Sequence, residues 1–191
     1  MNTKTKRLTV IALAVAINIV GAKISLFFKC PLYLDSIGTI LSGIVLGPVA
    51  GGLTAFVGGL INTVLGDEFA IYFAFSGVLM GIIAGLLMHN RKNTWVNAIW
   101  KTFLIVLPAS ALSACIETFL FGGITSAAFT TFAIQALSQT AMKLIGSAFL
   151  VQLGTDYADK LLAVALVLAC MKRLPYEMTH FAAKSVTEVN E

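Results

Sequence analysis

Residues 33–66 read YLDSIGTILSGIVLGPVAGGLTAFVGGLINTVLG and contain one acid, Asp35, and no base. Two apolar runs meet at Leu46-Gly47-Pro48. Proline has no amide proton and its ring clashes with a preceding helical turn, so Pro48 starts a second helix after a tight reversal. So long an apolar stretch satisfies its backbone groups in lipid only by turning helical, which predicts a helical hairpin inside a membrane. Gly43, Gly47 and Gly51 recur at helical spacing, with Gly58, Gly59 and Gly66 beyond. In lipid, where no hydrophobic drive pulls helices together, such glycines let backbones approach closely, so they are read as packing positions and not as ligand contacts.

Composition extends the reading to the whole chain. Of its 191 residues 58% are hydrophobic and 12% are charged, against about 25% charged in a typical soluble domain. The chain is therefore expected to be an all-α integral membrane protein. The formal charge of +4 lies in short clusters at helix ends, not along one face, which argues against a nucleic-acid partner. Cys30, Cys115 and Cys170 are scattered among apolar neighbours with no CxxC and no His pair, so they are expected to be small buried side chains with no metal or disulfide role.

Basic residues orient the spans. Lys4, Lys6 and Arg7 place the start of a first helix, Leu8 to Phe28, in the cytoplasm. No small-residue cleavage site follows, so this segment is retained. Asn18 and Lys23 lie deep on that helix and are expected to face the bundle interior or water. The hairpin goes in, turns at Gly47-Pro48 and returns to Leu65, with Asp35 or Ser36 capping its first helix. Phe69 to Met88 descends with a ladder of Gly77, Gly81 and Gly85, and Arg91-Lys92 closes this half on the cytoplasmic side. Trp95 to Phe121 rises again, with Pro108 in its middle as a kink site. Two runs remain, Ala127 to Leu153 and Tyr157 to Met171, the latter ending in Lys172-Arg173. If both crossed, that basic pair would lie outside, against the charge rule. The expectation is a bundle of six transmembrane helices with N- and C-termini cytoplasmic. Part of 127–153 is then re-entrant, interfacial, an outer cap or a continuation of a broken fifth span. Residues 1–175 form one membrane-embedded domain and 176–191 a cytoplasmic tail.

On this topology Asp35, Asp67, Glu68, Glu117, Asp156 and Asp159 gather towards the outer side. Acids weakly determine orientation, so the topology rule did not force this clustering. It predicts an outward polar vestibule suited to a small molecule. The candidate substrate contacts are Tyr33, Asp35, Asn62, Glu68 and Tyr72, then Glu117, Gln139, Tyr157, Asp159 and Lys160. For each of them helix capping or loop solvation is the plainer alternative. The sequence has no GxxxxGK[ST], HExxH or GxSxG, and only two histidines, so an enzyme is not expected, no cofactor is implied, and any transport draws its energy elsewhere.

The basic start, Ala12-xxx-Ala16, the stretch LDSIGTILSGIVLGPVAGGLTAFVGGLIN, the glycine-rich fourth helix and Asp159-Lys160 ahead of the last apolar run together resemble the substrate-binding S components of energy-coupling factor (ECF) transporters. The resemblance covers most of residues 4–175 and is strongest in the hairpin. It implies six helices holding a vitamin or related micronutrient near the outer face of a prokaryotic plasma membrane. It also implies a separate membrane scaffold (T) subunit and two cytosolic ATPases, with Ala12 and Ala16 as docking positions and toppling of the subunit to release its ligand inside. Family pockets diverge with the ligand. The acid-rich vestibule favours a cationic or hydrogen-bond-rich heteroaromatic, such as a vitamin B6 form or a thiamine precursor, over a large anion. Two other readings compete: a membrane sensor or regulatory module without transport activity, and a lipid- or isoprenoid-modifying enzyme. For the enzyme, Asp156-x-x-Asp159 is the nearest candidate motif, explicable as capping at a helix start.

Overall fold

The computed structural model of the chain describes residues 3–28, 32–140 and 142–173. Cys30 and the expected tail 176–191 lie outside these. Among the described residues the chain forms seven helices and no strand: α1 (Thr3–Phe27), α2 (Ile37–Leu46), α3 (Pro48–Val64), α4 (Ala70–Met88), α5 (Trp95–Phe121), α6 (Ala128–Ser138) and α7 (Leu144–Met171). Helices α1, α4 and α5 are long and apolar enough to cross a membrane.

The hairpin forms as its sequence dictates. Gly47 sits between α2 and α3 at φ +98°, a conformation costly for any residue with a Cβ, and Pro48 opens α3 at its first turn. The two glycine series then face each other across α3 and α4. A Cβ added at Gly81 would lie 2.5 Å from the Gly51 carbonyl carbon, and one at Gly85 2.5 Å from the Pro48 backbone. These helices touch backbone to backbone. Below the turn, His89 Nδ1 lies 2.8 Å from the Ile44 carbonyl and ties the end of α4 to the end of α2.

Polarity is arranged inside out relative to a soluble bundle. Leu53, Phe75, Leu86, Trp100, Phe119 and Leu166 point outward, while Asn18, Thr39, Thr54, Ser110, Glu117 and Lys160 are buried. In lipid the apolar side chains need no shelter, whereas each polar group needs a partner within the bundle. An apolar core remains in one half, where Ile40, Ile44, Met80, Met88, Ile105 and Val164 pack together. The end holding Gly47, His89 and Trp95 also holds Lys172, whose ammonium lies 5.0 Å from the Trp95 ring centroid.

Three expectations need correction. The break in the C-terminal half falls around 139–143, so α6 is a separate helix of 11 residues and α7 runs unbroken for 28. Asp156 and Asp159-Lys160 are accordingly not at a helix start but in mid-helix. Their spacing puts all three on one face, where their charges meet one another, so they do not end the helix. At about 1.5 Å per residue α7 is long enough to span. What removes it from the apolar class is this inward-facing charge. Second, neither Asp35 nor Ser36 caps α2 through its side chain: Ser36 occupies the cap position without such a bond, and Asn18 of α1 takes over the task. Third, Cys115 and Cys170 are exposed on the outer surface of the bundle. Helix α5 continues through Pro108 as one element.

Gly81→Ala is expected to destabilise the detergent-purified protein by about 1–3 kcal/mol through overpacking. Gly154→Ala, where a Cβ meets nothing within 4 Å, should be neutral or slightly stabilising. Thermal unfolding of the two variants side by side checks this, and equal melting temperatures would refute close backbone packing at Gly81.

Candidate functional site

The segment from Leu32 to Ser36 enters the bundle and is held from three sides. The Asn18 Oδ1 accepts from the amides of Gly38 at 2.7 Å and Thr39 at 3.3 Å, while its Nδ2 donates to Thr39 Oγ1 at 2.8 Å. Two orphan amides of the first turn of α2 thus find their acceptor on a neighbouring helix. From α7, Asp159 Oδ1 accepts from the Leu34 amide at 3.0 Å. Leu34 itself has φ +52°, a conformation that a leucine keeps only where such contacts impose it. From α6, Thr130 Oγ1 accepts from the Tyr33 hydroxyl at 3.2 Å. Removal from water pushes the Tyr33 phenol above its ordinary value, so it remains a neutral donor.

Beneath this segment lies a charged node. Lys160 Nζ is 2.8 Å from Asp159 Oδ2, 3.5 Å from Asp156 Oδ1 and 3.6 Å from Asp35 Oδ1. The other oxygen of Asp156 accepts from Ser110 Oγ at 2.7 Å. A separate pair of bonds joins α5 to α4, with Ser113 Oγ donating to Ser76 Oγ at 2.7 Å and Ser76 Oγ to the Ala109 carbonyl at 3.0 Å.

These groups border a cavity of about 370 Å³. That is within the range of small-molecule sites, which run from about 300 to 1,000 Å³. All seven helices contribute to its wall, α6 through Ala128 alone, as do the Tyr33–Ser36 and Thr125–Ala127 segments. Phe73, Ala74, Met80 and Val106 supply apolar surface; Asn18, Asn62, Ser76 and Gln152 supply polar surface. Among the described residues no group of three or more His, Cys, Asp or Glu side chains is placed to hold a metal ion.

The ten side chains proposed from the sequence separate into groups. Tyr33, Asp35, Asn62 and Lys160 line the cavity. Asp159 stands behind Lys160, fully buried, and positions the loop. Glu117 is also fully buried, near the end of α5, with neither carboxylate oxygen hydrogen-bonded and outside the lining. Glu68, Tyr72 and Gln139 are exposed and do not border the cavity. Tyr157 faces the other side of α7, its hydroxyl 3.5 Å from the Ile99 carbonyl and its ring in edge contact with Phe103. Asp67, Asp156 and Gln152 do line the cavity. The i, i+4 spacing of Asp156 and Lys160 was the signal available for the second of these. The serines at 76, 110 and 113 are indistinguishable in sequence from ordinary small packing residues.

A family model described as ECF transporter, substrate-specific component, matches residues 6–174. The chain belongs to that family. No curated protein and no solved structure matches it. Members of the ECF substrate-specific component family are transmembrane, substrate-binding transporter subunits, not enzymes themselves, and the family works with scaffold and ATPase modules. For an ECF substrate-specific component, a cavity walled by the helices, mainly apolar with a few charged and amide groups, is the arrangement the task requires.

Asp159→Asn keeps the shape of the side chain but removes its charge. It should cost about 1–3 kcal/mol of stability and speed amide hydrogen exchange across residues 32–36. Unchanged exchange there would mean that the segment does not depend on its bond to α7.

Proposed function

We propose that the chain is the high-affinity binding subunit for uptake of a vitamin or related micronutrient, with a vitamin B6 form or a thiamine precursor as candidate ligands. The observation that carries this is the cavity, whose lining divides between apolar side chains such as Phe73, Met80 and Val106 and a smaller polar set that includes Asn62, Gln152, Asp156 and Lys160. A ring-containing molecule with a polar edge matches that division. The same reading makes the protein a multi-pass component of the prokaryotic plasma membrane. Its six crossings are α1, the stretch 32–46 that includes the short α2, α3 to α5 and α7, with α6 as an outer cap. Lys4, Lys6, Arg7, Arg91, Lys92, Lys172 and Arg173 then face the cytoplasm, at both ends of the bundle and in the connection between α4 and α5. Residues 1–175 act as one domain, with 176–191 as a cytoplasmic tail.

Energy for uptake comes from two cytosolic ATPases acting through a membrane scaffold (T) subunit. Ala12 and Ala16 are the docking positions on this chain. Both are exposed on α1 and four residues apart, one turn on the same face, so another helix can press closely against them.

Protein purified in mild detergent and then denatured should release one kind of vitamin-sized molecule at close to one per chain. Absence of any such molecule, with no thermal stabilisation by water-soluble vitamins, would overturn the proposal. Replacing Ala12 and Ala16 together by Leu should leave ligand affinity intact and lower uptake at least several-fold in cells carrying the complete transporter. Unaltered uptake would remove those alanines from the docking surface.

A further inference from the structure

Resting on the reading of the cavity as the substrate site, we infer that Gly58 sets the depth of that site. A thin, apolar part of the substrate lies directly against the backbone of α3 there, in space that any side chain on this residue would fill.

The first observation is that, among the described residues, Gly58 is the one buried glycine that neither packing nor backbone conformation accounts for. At every other buried glycine an added Cβ would come within 3.2 Å of a neighbouring atom, as at Gly51, Gly81 and Gly85, or the backbone has a positive φ, as at Gly47 and Gly123. Gly58 lies inside α3. A Cβ built on it would meet only Asn18, at 3.7 and 3.8 Å, which is ordinary contact. Glycine inside a helix is less favourable than alanine, so its presence here needs another cause. The expectation that the glycines of the hairpin are packing positions and not ligand contacts therefore fails at Gly58.

The second observation is where the open space leads. Gly58 and Asn18 both line the cavity. Gly58 is buried, so the space beside it lies inside the bundle and not against lipid. Asn18 does not swing into it, since its side chain is spent on the amides of Gly38 and Thr39 and on the Thr39 hydroxyl. Helix α3 is itself held by the next residue, Gly59, where an added Cβ would lie 2.5 Å from the Ala74 Cβ of α4. Adjacent glycines thus serve two purposes, Gly59 admitting α4 and Gly58 leaving room in the cavity. Ala55, one turn earlier, and Ala74 and Gly77 of α4 line the cavity as well. None of them offers a side-chain donor or acceptor, and the backbone groups of α3 are bonded along the helix. A flat ring face or a methyl-bearing edge fits such a surface, whereas a charged group would lose its water there with nothing to replace it.

The test uses the full chain in detergent, with Gly58→Ala and Gly58→Leu beside the wild type. Each is titrated with thiamine, pyridoxine, riboflavin, biotin and pantothenate, and the molecule released on denaturation is counted per chain by mass spectrometry. Gly58→Ala should weaken binding of whichever vitamin the wild type binds by about 5- to 100-fold, the overpacking penalty expressed as affinity, and Gly58→Leu should abolish it. The melting temperature of ligand-free Gly58→Ala should match or exceed that of the ligand-free wild type, because the Cβ enters open space. Gly58→Ala decides the matter if Gly58→Leu does not purify. If the wild type binds none of the five, the released molecule gives the same reading, at close to one per chain from the wild type and far less from the variants. An affinity or a retained amount that Gly58→Ala leaves unchanged overturns the inference. So does a fall in melting temperature like that expected of Gly81→Ala, which would make Gly58 a packing position. Both of those results leave the uptake reading standing, whereas a wild type that binds none of the five and releases no molecule overturns both.

Discussion

Three carboxylates from two parts of the chain are arranged around one ammonium. Lys160 lies in the middle of α7, where a free charge in lipid would be expelled or neutralised. It stays because Asp156 and Asp159 share its helix face and Asp35 reaches it from the segment before α2. Asp159 joins the node to that segment, accepting from the Leu34 amide with one oxygen and from Lys160 with the other. It also links α7 to α5 through Asp156 and Ser110. The cavity is the space left beside this node, closed above by Tyr33 and its bond to α6.

Two kinds of packing share the work. Along α3 and α4 the glycines bring backbones into contact, and that part of the bundle has little freedom to deform. Around the cavity the contacts are hydrogen bonds between side chains on different helices, which hold direction as well as distance. The first supplies a rigid frame and the second a shaped polar wall. A substrate-binding subunit needs both. Large apolar residues such as Leu53, Phe75, Leu86, Trp100, Phe119 and Leu166, having no role in either, are left on the outer surface.

Much of this was legible in the sequence. The hairpin, its turn at Gly47-Pro48 and the bounds of α5 follow from apolar run length and from proline and glycine chemistry, which act locally. The path of 127–160 was not legible. Three charges within five residues normally mark a helix end, and only their pairing inside the bundle lets α7 continue through them. The cap on α2 was missed for a similar reason: its acceptor is Asn18, twenty residues away on another helix. Among the site residues, Tyr33, Asp35, Asn62 and Lys160 could be chosen because a polar, charged or aromatic side chain near the expected outer end of an apolar run is conspicuous. Glu68, Tyr72, Gln139 and Tyr157 share that chemistry but stand on faces turned away from the cavity. Sequence gives the depth of a residue in a bundle more readily than the direction in which it points.

The most direct test of the account is a double-mutant cycle on stability with Lys160→Met, Asp159→Leu and the combined variant. Removing one partner leaves the other buried without compensation, so each single change should be more damaging than the node's net worth. The account predicts that the double variant loses less than the sum of the single losses by at least about 1 kcal/mol. Additivity to within about 0.5 kcal/mol would contradict it, because the two charges would then not depend on each other and Lys160 could not organise the site.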